Sequence, residues 1–246
     1  MTTPLARRAL AELLGTAFLV AAVVGSGIAA TRLSPTDVGL ELLENSLITG
    51  AALVALILAL QPVSAAFNPV VTLVERLLGA ITTGAALVLA AAQITGGIIG
   101  VIVANLMFRL PAVTISVHHR SSANLWLGEV VATLGLVLVI FGMARAGRIS
   151  SIGIAVGGYI TAAYWFTSST SFANPAVAIA RMFSNTFAGI APSSVPMFVL
   201  MQLVGGIAAF LLVRVLYPDA AKMAAEIVDE QPTPAPAVAP AVAEAG

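Results

Sequence analysis

Phe67-Asn68-Pro69-Val70 and, further along, Ala173-Asn174-Pro175-Ala176 are two polar breaks set inside apolar sequence. Asn-Pro on its own is an ordinary turn signal. Here each dipeptide lies in an apolar stretch, 64–73 and 171–183, that is too short to cross a bilayer. Proline lacks an N–H and suits the first turn of a helix, and asparagine suits the N-cap. Each dipeptide is therefore expected to open a short half-helix at membrane depth.

The surroundings set the solvent. Of 246 residues, 59% are hydrophobic and 9% charged, and the mean hydropathy is +1.04. A water-soluble domain needs far more charge than this. Continuous apolar runs place six spans at about 10–30, 45–60, 80–108, 125–145, 152–167 and 195–216. The stretch 32–44 reads as a polar loop. A β-barrel would alternate apolar and polar residues instead. The start resembles a signal peptide, with Arg7 and Arg8 before an apolar run. That run is long for such a signal and carries Glu12, so it reads as the first span. The chain then divides into an N-terminal segment 1–8, a channel domain 9–216 and a tail 217–246. The tail holds Pro232, Pro234, Pro236 and Pro240 among alanines, and disorder is expected from about 229.

Three landmarks recur in order, each about 110 positions downstream. Glu12-Leu13-Leu14-Gly15-Thr16 returns as Glu129-Val130-Val131-Ala132-Thr133. The first Asn-Pro returns as the second. Gln93-Ile94-Thr95-Gly96-Gly97 returns as Gln202-Leu203-Val204-Gly205-Gly206. The chain is a duplication, with repeats at about 9–108 and 125–216. Three spans per half make the halves enter from opposite faces, as an inverted repeat. The fold class is thus all-α membrane protein, with six transmembrane helices and two re-entrant half-helices that meet near the midplane. Two helix N-termini there concentrate positive dipole ends, which oppose cations and let neutral hydroxyl solutes hydrogen-bond.

Basic residues give orientation. Arg7, Arg8, Arg145, Arg148, Arg214 and Lys222 fall on one side, read as cytoplasmic, and Arg32, Arg109 and Arg120 on the other. Both termini are then cytoplasmic, and with no organellar signal the cell membrane is expected. Glycines at 15, 96, 97, 205 and 206 suit close helix packing. Trp126 suits an interfacial anchor, and Tyr164 and Trp165 either anchor or line a vestibule. His118 and His119 read as solvated loop residues. No cysteine and no converging ligand set is present, so no metal, cofactor or catalytic residue is expected. Zero net charge points away from nucleic acid.

These residues resemble the aquaporin, or major intrinsic protein, family, in particular divergent bacterial aquaglyceroporin-like members. That family has two Asn-Pro-Ala boxes, an inverted six-span repeat and a glutamate in spans one and four. The resemblance covers roughly 9–216. The box Asn174-Pro175-Ala176 matches, and Asn68-Pro69-Val70 departs at Val70. The resemblance implies that Glu12 and Glu129 support the re-entrant loops. A proton-relay role for them is the alternative, and would make the protein a coupled transporter. It also implies a filter outside the meeting point, normally with an arginine three residues after the second asparagine. Val177 stands there. Spacing against the family puts the other filter positions at Ile48, Ala162 and Ser171. Arg181, one turn further on, either faces the vestibule or a neighbouring helix, or snorkels back to the pore. A ring of this kind lacks the arginine fork and is wider than a water-only filter.

The resemblance implies a passive channel for water, glycerol-like polyols and neutral metalloid acids such as arsenous acid, working in a lipid bilayer as a homotetramer. A secondary transporter and a non-conducting membrane scaffold are the alternatives.

Overall fold

A computed structural model of the protein describes residues 3–229. Its helices are α1 (Leu5–Leu33), α2 (Val38–Leu60), α3 (Pro69–Leu77), α4 (Thr83–Met107), α5 (Ala123–Arg145), α6 (Ile152–Phe166), α7 (Pro175–Ala180), α8 (Val195–Leu216) and α9 (Ala220–Asp229). Six are long and apolar enough to span a membrane; α6 does so together with the 3-10 turn before it. The short helices α3 and α7 begin at the two Asn-Pro dipeptides. Among the described residues there is no strand.

Three boundaries differ from the sequence reading. The first span starts at Leu5, directly after Pro4. The stretch 32–44 is not a loop throughout, because the Asp37 carboxylate caps α2 by accepting from the Leu40 N–H at 3.0 Å. Helix therefore begins at Val38, and Glu41 is buried within it. The third difference is α9, a helix within the stretch read only as tail. Its Ala220, Met223 and Ala224 are buried, and it packs on α5 and α3. The disorder expected from about 229 falls outside the described residues.

The duplication is visible in the packing. Helix α1 lies along α4, α5 lies along α8, and α2 meets α6 across the two halves. Each half-helix also touches the third span of the opposite half, α3 against α8 and α7 against α4. Hydrophobic driving force is weak between helices already in lipid, so close backbone approach must supply the cohesion. Glycine permits it. A Cβ at Gly96 or Gly100 would overlap the carbonyl oxygen of Leu13 or Ala17 on α1, and one at Gly205 would press on the Val130 carbonyl of α5. Outward faces carry Leu10, Phe18, Ile48, Leu87, Leu127 and Ile154, all exposed on the surface of the chain.

Gly96→Ala should force α1 from α4 and lower stability by about 1–3 kcal/mol. Gly158, with no atom within 4 Å of a built Cβ, is the control, because Gly158→Ala should raise the thermal midpoint of detergent-solubilised protein slightly.

Candidate pore

The two Asn-Pro turns are built alike. Asn68 and Asn174 both have extended backbone and cap their half-helices. The Asn68 Oδ1 accepts from Val70 N at 2.9 Å, and the Asn174 Oδ1 from Ala176 N at 2.9 Å and Val177 N at 3.3 Å. The residues before them, Phe67 (φ 47°) and Ala173 (φ 48°), lie in the left-handed region, which costs an L-residue about 1–2 kcal/mol. Four bonds hold these two peptides. The Phe67 N–H donates to Glu12 at 2.7 Å, and the Ala173 N–H to Glu129 at 2.9 Å. The Phe67 carbonyl accepts from Asn174 Nδ2 at 2.7 Å, and the Ala173 carbonyl from Asn68 Nδ2 at 2.7 Å. Each asparagine thus binds across to the other turn. Each amide has two N–H groups and gives one to this clamp.

Both glutamates accept hydrogen bonds on each carboxylate oxygen. Glu12 accepts from Ser64 Oγ at 2.5 Å and Ala66 N at 2.9 Å on one oxygen, and from Phe67 N and Gln93 Nε2 (2.8 Å) on the other. Glu129 accepts from Phe172 N at 3.0 Å, from Ala173 N and from Gln202 Nε2 at 2.5 Å. These bonds tie both carboxylates to the re-entrant loops. In the sequence alone Gln93 and Gln202 mark only the repeat. Their recurrence at equivalent places, as polar side chains inside apolar spans, was the signal of a shared task.

A cavity is lined by residues from both faces of the molecule and from its middle. At the face where α1 begins it is lined by Arg8, Gln61, Ser64 and Glu75. Midway it passes Asn68 and Asn174, and at the far end it reaches Tyr164, Ser171, Val177 and Arg181. Between these points the wall is apolar, with Leu19, Val23, Leu53, Ile57, Leu136 and Ile160. Of the box residues, only the asparagines line it. Pro69, Val70, Pro175 and Ala176 are behind the wall, with Val70 and Ala176 fully buried. Val70 fits because it faces Gly206, where any Cβ would overlap its Cγ1.

Two filter positions need correction. Ile48 is 50% exposed and outside the cavity. The α2 residues that line it are Thr49, Leu53 and Ile57, a stripe at four-residue spacing. One residue's rotation, about 100°, turns Ile48 to the outer surface. Ala162 is likewise exposed and off the cavity, since the α6 stripe is Ile152, Val156, Ile160 and Tyr164. Thr49 Oγ1 and the Tyr164 hydroxyl are 3.2 Å apart in a hydrogen bond at the cavity wall. Trp165 points outward and donates to Ser46 Oγ at 3.1 Å. Ser171 and Val177 line the cavity.

Arg181 is 3% exposed and lines the same end. Its Nε donates to the Ala188 carbonyl, and its guanidinium lies 3.5 Å from the Phe172 ring centroid. Arg120 packs over the same ring at 5.2 Å, held by the Gly189 carbonyl at 3.2 Å. Among the described residues the terminal nitrogens of Arg181 bond no protein acceptor, and they are not sealed in. They open on the cavity. A guanidinium stays charged at any ordinary pH, so this end of the cavity carries a fixed positive charge and free donors.

Six spans, two opposed half-helices and one cavity threading their meeting point define a membrane channel with an inverted repeat. The model of the major intrinsic protein family matches residues 1–167 and 144–243, and the chain belongs to that family. It is 49% identical over 217 residues to a Rhizobium meliloti (strain 1021) protein named aquaglyceroporin AqpS, covering 88% of this chain and 92% of that one. The X-ray structure of the aquaglyceroporin from Plasmodium falciparum superposes with a TM-score of 0.69 at 19% identity, over 88% of this chain and 99% of the other. That likeness concerns the fold.

Glu129→Gln should be strongly destabilising. A single amide oxygen replaces two carboxylate oxygens that accept three bonds, so a buried N–H loses its partner at about 1–3 kcal/mol. A lower thermal midpoint and reduced flux in proteoliposomes are the expected outcomes.

Proposed function

We propose that the protein is a passive channel of the cell membrane for water and small polyols, extending to neutral metalloid acids such as arsenous acid. The observation that carries this is the outer end of the pore. Val177 stands where the family's filter arginine is usual, and the hydroxyls of Thr49, Tyr164 and Ser171 share the wall there with the apolar Val177. Such a wall accepts the carbon side of a polyol while the hydroxyls find scattered partners. The name of the Rhizobium relative supports the same class of solute. The pore boxes are Asn68, Pro69 and Val70 with Asn174, Pro175 and Ala176. The filter is Thr49, Tyr164, Ser171 and Val177, with Arg181 supplying the donor fork one turn below its usual place.

The positive charge of Arg181 opposes cations, as do the two half-helix N-termini. The basic residues of the loops support cytoplasmic termini, and the family supports a homotetramer with one pore per subunit.

Stopped-flow swelling of proteoliposomes tests the reading. Glycerol and arsenite gradients should both drive fast volume change, linear in the gradient and indifferent to proton uncouplers. Fast water flux with neither solute moving would overturn the wide filter. Arg181→Leu should lower glycerol flux roughly ten-fold, the worth of one charge-assisted hydrogen bond, and admit a sodium leak. Unchanged glycerol and sodium permeability would remove Arg181 from the filter.

A further inference from the structure

The two half-helices carry opposite chemistry at the same position. Counted from Asn68 and from Asn174, Glu75 on α3 and Arg181 after α7 are equivalent. The inverted repeat therefore sends one to each end of the pore. Glu75 is 5% exposed and lines the cavity. Among the described residues its carboxyl makes no hydrogen bond, and the ion pair found joins Lys222 to Glu226 instead. Its oxygens are not sealed in either, since the enclosed unpartnered atoms include the Arg8 Nε but neither Glu75 oxygen. Arg8 and Glu12 are the charges it feels, yet Glu12 is bound to the re-entrant loop and Arg8 stays unpaired to it. A nine-tenths buried carboxyl with no protein partner, open to a pore, is an acceptor aimed at whatever passes.

We propose that Glu75 is a second specificity-determining residue of the channel, an acceptor station for hydroxyl-bearing solutes that mirrors the donor station of Arg181. This rests on the polyol reading above. A polyol entering from the Arg181 end meets donors first, then the free N–H groups of Asn68 and Asn174, and last an acceptor. Stripping a hydroxyl of water leaves both its oxygen and its hydrogen without partners. The Arg181 guanidinium and the asparagine N–H groups satisfy only oxygens. Glu75 satisfies hydrogens, in either protonation state, because a carboxyl always keeps a free acceptor oxygen. The wall beside it suits the carbon side of the solute, since α9 brings Ile227 and Val228 to the same end.

The test uses the full-length protein in proteoliposomes and compares glycerol with water flux in the wild type, Glu75→Leu and Glu75→Gln. Glu75→Leu should lower the glycerol-to-water ratio roughly ten-fold. Glu75→Gln, which keeps an acceptor oxygen, should stay within about two-fold of wild type. Water flux and thermal midpoint report that each variant is folded. An unchanged ratio in Glu75→Leu overturns the station. So does a loss in Glu75→Gln as large as in Glu75→Leu, which would make the residue's role structural. A wild type that passes no glycerol would instead overturn the polyol reading itself, and this inference with it.

Discussion

The reciprocal bonds between Asn68 and the Ala173 carbonyl, and between Asn174 and the Phe67 carbonyl, each 2.7 Å long, fix everything else about the pore. They join two turns that arrive from opposite faces of the membrane. Both carbonyls belong to residues in the left-handed region, a conformation that persists only where surroundings over-determine it. Here a carboxylate holds the N–H of each strained peptide and an amide holds its carbonyl. Charge-assisted bonds contribute about 1.5–3 kcal/mol, enough to offset a strain of about 1–2 kcal/mol per residue. The strain has a purpose in geometry. It turns the chain sharply from an incoming loop into an outgoing half-helix, and so leaves the asparagine at the tip, facing the cavity.

A clamp of this kind needs the surrounding helices close enough to brace it. Gly15 gives room to the Phe67 ring, where any Cβ would overlap it. Gly97 lies against the Ala176 carbonyl at 3.2 Å from a built Cβ, and Gly206 against Val70. The last pair explains the departure in the first box. The extra methyls of valine occupy the space that glycine leaves on α8, behind the wall and away from the solute path. The box difference is thus a matter of packing, and the pore at that level is still set by the asparagines.

The duplication and the half-helices were legible because they are carried by residue types that lipid tolerates poorly: asparagine, proline, glutamate and glutamine. Such residues stand out from an apolar background, and their order survives in both halves. The faces of α2 and α6 were not legible. Lipid is as apolar as a packed interior, so a spanning helix shows no contrast between its outer and inner sides. Ile48 and Thr49 are neighbours in an apolar run, and only their rotation about the helix axis tells which lines the cavity. The same holds for Ala162 and Tyr164. Spacing borrowed from other sequences fails at that level, because one residue of offset moves a position from pore to lipid. Helix α9 is hidden for a different reason: it is ten residues long, lies between Pro218 and a proline-rich stretch, and so reads as part of the tail.

Polar groups along the cavity gather at its two ends and at the asparagines, with apolar wall between them, and this spacing is itself a constraint on what passes. An ion needs its hydration shell replaced on all sides at once, which an apolar wall does not offer. A neutral polyol needs only a few partners on one side and tolerates hydrocarbon on the other. The clamp leaves the two asparagine amides as fixed donors at the midpoint, where neither can rotate away without losing a cross-turn bond. Arg181 is fixed in turn by the Ala188 carbonyl and the Phe172 ring. Stations held this rigidly lose little conformational entropy when a solute arrives. On the proposed reading, selectivity in this pore comes from where immobile polar atoms stand along the apolar stretches of the path.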